Sequence, residues 1–184
     1  MARGTAFPSV LIAAKTGAEW ALASLYVDFQ PRLLRYLRAQ APSEAEDLAA
    51  ETWIDAARAL GRFEGDESAF GRWLFTIAHR RLVDFRRRSG KRREEPIAER
   101  ALSSLVARTD SMPGPGEDEA LACLARLPAD QAEIVLLRVV GGFASNEVAQ
   151  IVGRKPGTVR VMQKRALERL AEILAESSRE VVTR

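Results

Sequence analysis

Thr158, Arg160, Val161, Lys164 and Arg165 fall within roughly two turns of one helix-compatible stretch and offer two guanidinium forks, an ammonium, a hydroxyl and a branched methyl pair. An arginine fork can bond both acceptors on a guanine edge, lysine suits guanine or phosphate, and valine can touch a thymine methyl. The set is therefore fitted to reading base edges in a major groove. Thr158 lies near the start of this stretch, where free amide groups and the positive end of the helix dipole suit a phosphate, and Lys155 adds a cation just ahead of it.

Such residues work only if a rigid rod presents them. Val159, Met162, Ala166 and Leu170 recur at steps of three and four and so predict a buried side to the same helix, with Pro156 suited to its first position. Upstream, Asn146 to Val152 carries apolar residues at helical spacing and stops at Gly153, a residue that tolerates a left-handed helix end. From Gln131 to Leu170 the order is helix, short amphipathic helix, tight turn and basic helix, which is a helix-turn-helix.

The chain has 184 residues, 47% of them hydrophobic, enough for one core or two small ones. Lys and Arg total 28 against 25 Asp and Glu, a net charge of +3 that points to no polyanion by itself, so distribution must decide. Arg80 to Arg93 holds eight basic residues and one acid, Arg154 to Arg169 six and one, whereas Glu44 to Glu67 holds eight acids and two arginines. Cys123 is the sole cysteine, which excludes an internal disulfide and a multi-cysteine zinc site, and no metal or cofactor is expected. The apolar run Val10 to Ala14 is cut by Lys15, and no stretch approaches the ~20 apolar residues that span a bilayer, so a cytoplasmic chain without membrane insertion is expected.

Strand alternation is sustained nowhere, and the predicted fold is all-α. Ala18 to Phe29 and Pro31 to Gln40 form a first antiparallel or bent pair of helices, and Ser43 to Glu46 has the pattern of a capping box opening a third. That third helix has an inner face of Ala45, Leu48, Thr52, Trp53, Ala56 and Leu60, and an acidic outer stripe of Glu44, Asp47, Glu51 and Asp55. Gly61 to Glu67 reads as a loop, followed by a helix from Ser68 to about Arg88 with Phe70, Trp73, Leu74, Ile77, Arg81, Leu82 and Phe85 inward. The predicted organisation is a four-helix bundle over residues 1–89, a linker over 90–116 around Met112 to Gly116, and a helix-turn-helix domain over 117–184. Within that second domain the sequence predicts helices Ala120 to Leu127 and Asp130 to Val140, a stop at Gly141-Gly142, and a frayed end from Ser177.

Several motifs in this order resemble the extracytoplasmic-function (ECF) sigma factors of the bacterial sigma-70 family. In the first domain these are Glu46-Asp47-Leu48-Ala49-Ala50-Glu51-Thr52-Trp53, Arg62-Phe63-Glu64-Gly65-Asp66, and Phe70 to Ala78 followed by Asp84 and an arginine run. In the second they are Leu124 to Pro128, Val135 to Arg138, Glu147-Val148-Ala149, and Gly157-Thr158-Val159-Arg160 with Lys164-Arg165-Ala166. The resemblance implies a non-enzymatic subunit that directs core RNA polymerase to promoters. It implies a sigma-2-like domain and a sigma-4-like domain, with core polymerase (β′ clamp helices, β flap), promoter DNA and an anti-sigma factor as partners.

On the same resemblance, Asp47, Glu51 and Asp55 would grip the β′ clamp. Phe63, Asp66, Trp73, Arg80, Arg86, Arg87 and Arg88 would recognise and melt the downstream promoter element. Lys155, Thr158, Arg160, Val161, Lys164 and Arg165 would read the upstream element as duplex. Trp73 and Phe70 also lie on the inner face, so core and DNA-contacting roles both stay open for them. Ala50 replaces the glutamine usual before Glu51, which implies that part of the polar contact with the clamp is missing; Arg80 and Val161 replace residues common in relatives, which implies a promoter preference away from the family's commonest one. The end at Arg184 implies no extra C-terminal regulatory domain.

The alternative is a polymerase-independent helix-turn-helix regulator, because Ser145 to Ala149 also suits that class. The strand-free first domain speaks against it. An inhibitor imitating this architecture is opposed by Arg160 and Arg165, and an enzyme by the lack of any acid/base pair, nucleophile or glycine-rich phosphate loop; His79, the single histidine, has no second metal ligand beside it.

Overall fold

A computed structural model describes residues 7–90, 123–124 and 126–182, with side chains to residue 176. Seven α-helices occur among the described residues: α1 (Phe7–Lys15), α2 (Glu19–Gln40), α3 (Ala45–Ala59), α4 (Glu67–Arg88), α5 (Ala129–Val139), α6 (Ser145–Ile151) and α7 (Pro156–Val182). Helices α1 to α4 form a front bundle, and α5 to α7 form the helix-turn-helix domain behind it. The expected linker and the expected helix start at Ala120 lie outside the described residues.

Where two helices were expected, α2 is continuous through Pro31. Proline removes the hydrogen bond to the carbonyl of Val27, at a cost of about 3 kcal/mol in a helix interior. Val27 and Pro31 are both exposed, so water can take up that carbonyl. The opposite face buries Leu25, Phe29, Leu33, Tyr36 and Leu37. At ~1.5–3 kcal/mol for each large apolar side chain, their burial outweighs the proline.

Helix α1 was not expected: Phe7, Leu11 and Ala14, one turn apart, are buried against the bundle. The capping box at Ser43 does not form. Pro42–Glu44 is a 3₁₀ turn, and α3 starts at Ala45 with no side-chain cap. The helix of the C-terminal segment also continues past Ser177 to Val182.

Phe70 is the hub of the front core. It is buried, with ring centroids of Phe29 at 5.0 Å, Phe63 at 5.5 Å, Trp73 at 5.5 Å and Phe7 at 5.8 Å. The rear domain has a small core of its own, Leu127, Ala132, Val135, Ala166 and Ile173. Its remaining apolar residues, among them Ile134, Leu137, Phe143, Val148 and Ile151, are continuous with the front core. Phe143 stacks edge-on against Phe75 at 5.0 Å and lies over Gly71, where a Cβ would come within 3.7 Å of its ring and 3.2 Å of Phe29. Helix α4 thus packs directly on α6, and α2 on α5.

Candidate nucleic-acid interface

Helix α7 is placed by its turn and its buried seam. Gly153 takes φ +65°, the left-handed conformation that ends α6, and Pro156 opens α7 three residues later. Glu147 caps α6 by accepting from the Ala144 amide at 2.8 Å. Arg154 ties the turn to α5 through an ion pair with Asp130, and Ser145 Oγ donates to Gln163 Oε1 at 3.0 Å, joining α6 to α7. Val159 and Ala166 are buried completely, with Met162 and Leu170 half-buried beside them.

That seam turns the opposite face outward. Lys155, Thr158, Arg160, Val161, Lys164 and Arg165 are all exposed, Val161 with 52% of its surface. Thr158, Val161 and Arg165 follow one helical row, and Arg160 and Lys164 the adjacent row. Lys164 sits 3.7 Å from Glu168 in an exposed pair too weak to hold it from a phosphate, and neither Arg160 nor Arg165 has an ion pair among the described residues.

The residues expected to meet the downstream element divide into four groups. Arg80, Arg87 and Arg88 are exposed on α4, Arg87 lying 3.5 Å from Asp84. Phe63 is 8% exposed and faces Trp73 across 5.0 Å, so Trp73 is half-buried as the rim of the Phe70 core rather than a free platform. Phe70 itself belongs wholly to the core. Arg86 is only 4% exposed and is engaged by Gln40 and Glu133 rather than facing solvent.

Asp66 is exposed and is the N-cap of α4, accepting from the Ala69 amide at 2.8 Å. Replacing it with alanine is expected to cost about 1 kcal/mol of stability, read from urea denaturation. Asp66→Asn, which keeps a capping oxygen, should retain most of that stability. If promoter use falls equally in both variants, the carboxylate acts on DNA; if it falls only with stability, Asp66 acts as a cap.

Of the acidic stripe, Asp47 is exposed, whereas Glu51 and Asp55 are held by Arg81 of α4. Arg81 Nε donates to Asp55 at 2.7 Å and Nη1 to Glu51 at 3.2 Å; the bond to Asp55 holds its guanidinium pKa above the ordinary value. The arginine fixes both carboxylates on one side of α3, leaving lone pairs for a partner's cations.

The group that sequence reasoning missed is Glu133. It lies buried between the domains, accepting from the Tyr36 hydroxyl at 2.6 Å and lying 2.6 Å from Nδ1 of His79. A lone carboxylate in the otherwise apolar run Ile134 to Leu137 and Ala132 was the available signal. Arg72 Nη1 to Glu147 at 2.9 Å is a second bond across the same interface. Among the described residues no cluster could hold a metal ion and no helix is long and apolar enough to cross a membrane.

A strand-free front bundle joined to a rear domain with an exposed, basic second helix of a helix-turn-helix defines a protein of the sigma-70 type. Family models agree along the chain: Sigma-70 region 2 matches residues 25–92 and Sigma-70 region 4 matches residues 117–170. The chain is 32% identical to the ECF RNA polymerase sigma factor BldN of Streptomyces coelicolor over 90% of its own length, spanning 65% of that protein. It is 31% identical to the ECF RNA polymerase sigma factor SigD of Mycobacterium tuberculosis, over 92% of this chain and 84% of SigD. Among solved structures, the sigma factor RpoE of Bartonella quintana, in complex with the anti-sigma factor NepR, superposes with a TM-score of 0.64 at 26% identity, over 82% of this chain and 94% of RpoE. The chain belongs to the ECF RNA polymerase sigma factors.

Proposed function

We propose that this chain directs core RNA polymerase to specific promoters and that its two domains divide the work. Asp47, Glu51 and Asp55 dock on the β′ clamp helices, the charges giving orientation as much as affinity. The rear domain meets the β flap. The exposed arginines of α4 hold the downstream element as it opens, since separated strands are kept by cations on phosphate and by stacking surface. Helix α7 enters the major groove of the upstream element, with Arg160 and Arg165 on guanine edges, Lys164 on phosphate or guanine, Val161 against a thymine methyl, and Lys155 and Thr158 on the backbone. An anti-sigma factor, as RpoE has in NepR, is the expected inhibitory partner.

The observation that carries this reading is a recognition face left bare on a helix anchored on its other side by buried Val159 and Ala166, in a chain whose front half matches region 2. A run-off assay with purified core polymerase tests it. Initiation at defined start sites only when the chain is added supports the reading. Tight promoter-specific binding without polymerase, with no initiation when polymerase is supplied, supports the independent regulator instead.

A further inference from the structure

Glu133 of α5 makes its side-chain contacts with the front bundle. Oε1 serves Tyr36 of α2 and His79 of α4, and Oε2 lies 3.7 Å from Nη1 of Arg86 on α4. Arg86 in turn donates through Nη2 to Gln40 Oε1 at 2.5 Å, while its Nη1 has no hydrogen-bond partner. A buried guanidinium with an unused donor is poorly compensated, and an anion able to approach it directly would satisfy it better.

Arg86 sits among Arg80, Arg87 and Arg88, which stay exposed. Along α4 the residues turned to the rear domain are Ser68, Arg72, Phe75, His79 and Arg86. Trp73, Arg80 and Arg87 each follow one of these by a single position, about 100° further round the helix. The rear domain therefore covers the flank of the strip assigned to the downstream element. It also holds α6 against α4, although the DNA elements read by α4 and α7 lie apart on the duplex.

We propose that Glu133 is an internal substitute for a DNA phosphate: by engaging Arg86 it keeps the free chain closed, and opening of the domains transfers Arg86 to nucleic acid. The identity of the DNA rests on the sigma-factor reading; the closure does not. Burial pushes the Glu133 carboxyl up, but the bond and charge of His79, the charge of Arg86 and the Tyr36 hydroxyl together hold it below the ordinary glutamate value. Burial, then Glu133, hold the Tyr36 phenol well above its ordinary value. A depressed carboxyl stabilises the closed form above its unfolded-state pKa and loses that effect as pH falls through the folded value. A raised phenol stabilises below its unfolded-state pKa and loses the effect as pH rises through the folded value. Closure is thus strongest between the carboxylate and phenol ranges.

The test uses the full chain with Cys123→Ser and spin labels at Ala57→Cys on α3 and Glu172→Cys on α7, both exposed positions. The parent should give one narrow distance distribution at neutral pH. Glu133→Gln should give a longer, broader distribution and bind a fluorescent single-stranded oligonucleotide about tenfold more tightly, a usual size for coupling between two sites. That gain should vanish when Arg86→Gln is added. Closed distances in Glu133→Gln, or a DNA gain that survives without Arg86, overturn the proposal. If circular dichroism shows Glu133→Gln unfolded, Arg72→Ala, which breaks only the far end of the interface, carries the test: longer distances with tighter oligonucleotide binding support it, and no change overturns it. Absence of initiation in every variant would strike the sigma-factor reading alone, because label distances do not depend on polymerase.

Discussion

Replacing Arg165 with alanine should erase the preference at one upstream base pair while leaving use of other positions intact. A two-pronged arginine contact to guanine contributes about 1–3 kcal/mol of discrimination, roughly 5- to 150-fold between matched and mismatched promoters. The side chain is exposed on a helix anchored by fully buried Val159 and Ala166, so its loss should not disturb the rod that carries it. Lys164→Ala provides the contrast. If its ammonium is on phosphate rather than guanine, its removal should weaken every promoter alike and lower the dependence of log affinity on log salt by about 0.9, one phosphate contact. Run-off transcription by the reconstituted holoenzyme on promoters substituted one pair at a time, repeated at several salt concentrations, reads both effects. A uniform loss from Arg165→Ala would remove it from the base-reading residues.

Phe70→Ala should produce the largest loss of stability. Four aromatic rings surround this fully buried side chain, and truncating such a residue costs about 3–5 kcal/mol, a large share of the 5–15 kcal/mol typical of a domain. The functional loss should follow the structural one, because Phe63 and Trp73 are positioned against that ring at the mouth of the expected downstream site. Urea denaturation of the full chain measures it, with Phe70→Leu retaining much of the lost volume and most of the stability. A loss below about 1 kcal/mol would mean that the neighbouring rings collapse into the vacated space.

These two residues show why some of the site could be read directly. The exposure of Arg165 follows from its position relative to Val159, Met162, Ala166 and Leu170, a relation contained within one helix. The fates of Phe63 and Trp73 do not follow from α4 alone, because they depend on how a loop folds back on the bundle. Pro31 suggested a break between two helices, and only the burial of Leu25, Phe29, Leu33, Tyr36 and Leu37 along one side explains why α2 runs through it. Ser43 carried the capping-box pattern, yet the tight turn from Pro42 took its place.

The helical period, the turn chemistry of Gly153 and Pro156, and the outward rows of α7 were determined by the sequence itself, because each depends on backbone and side-chain relations a few residues apart. Which arginines of α4 remain exposed, that Arg81 holds Glu51 and Asp55, and that Glu133 meets Tyr36 and His79 across the two domains were decided by tertiary structure alone. Those partners lie 26 to 97 positions apart in the chain. Contacts at that range are set by how helices dock, and docking answers to the shape and burial of whole faces rather than to any local pattern.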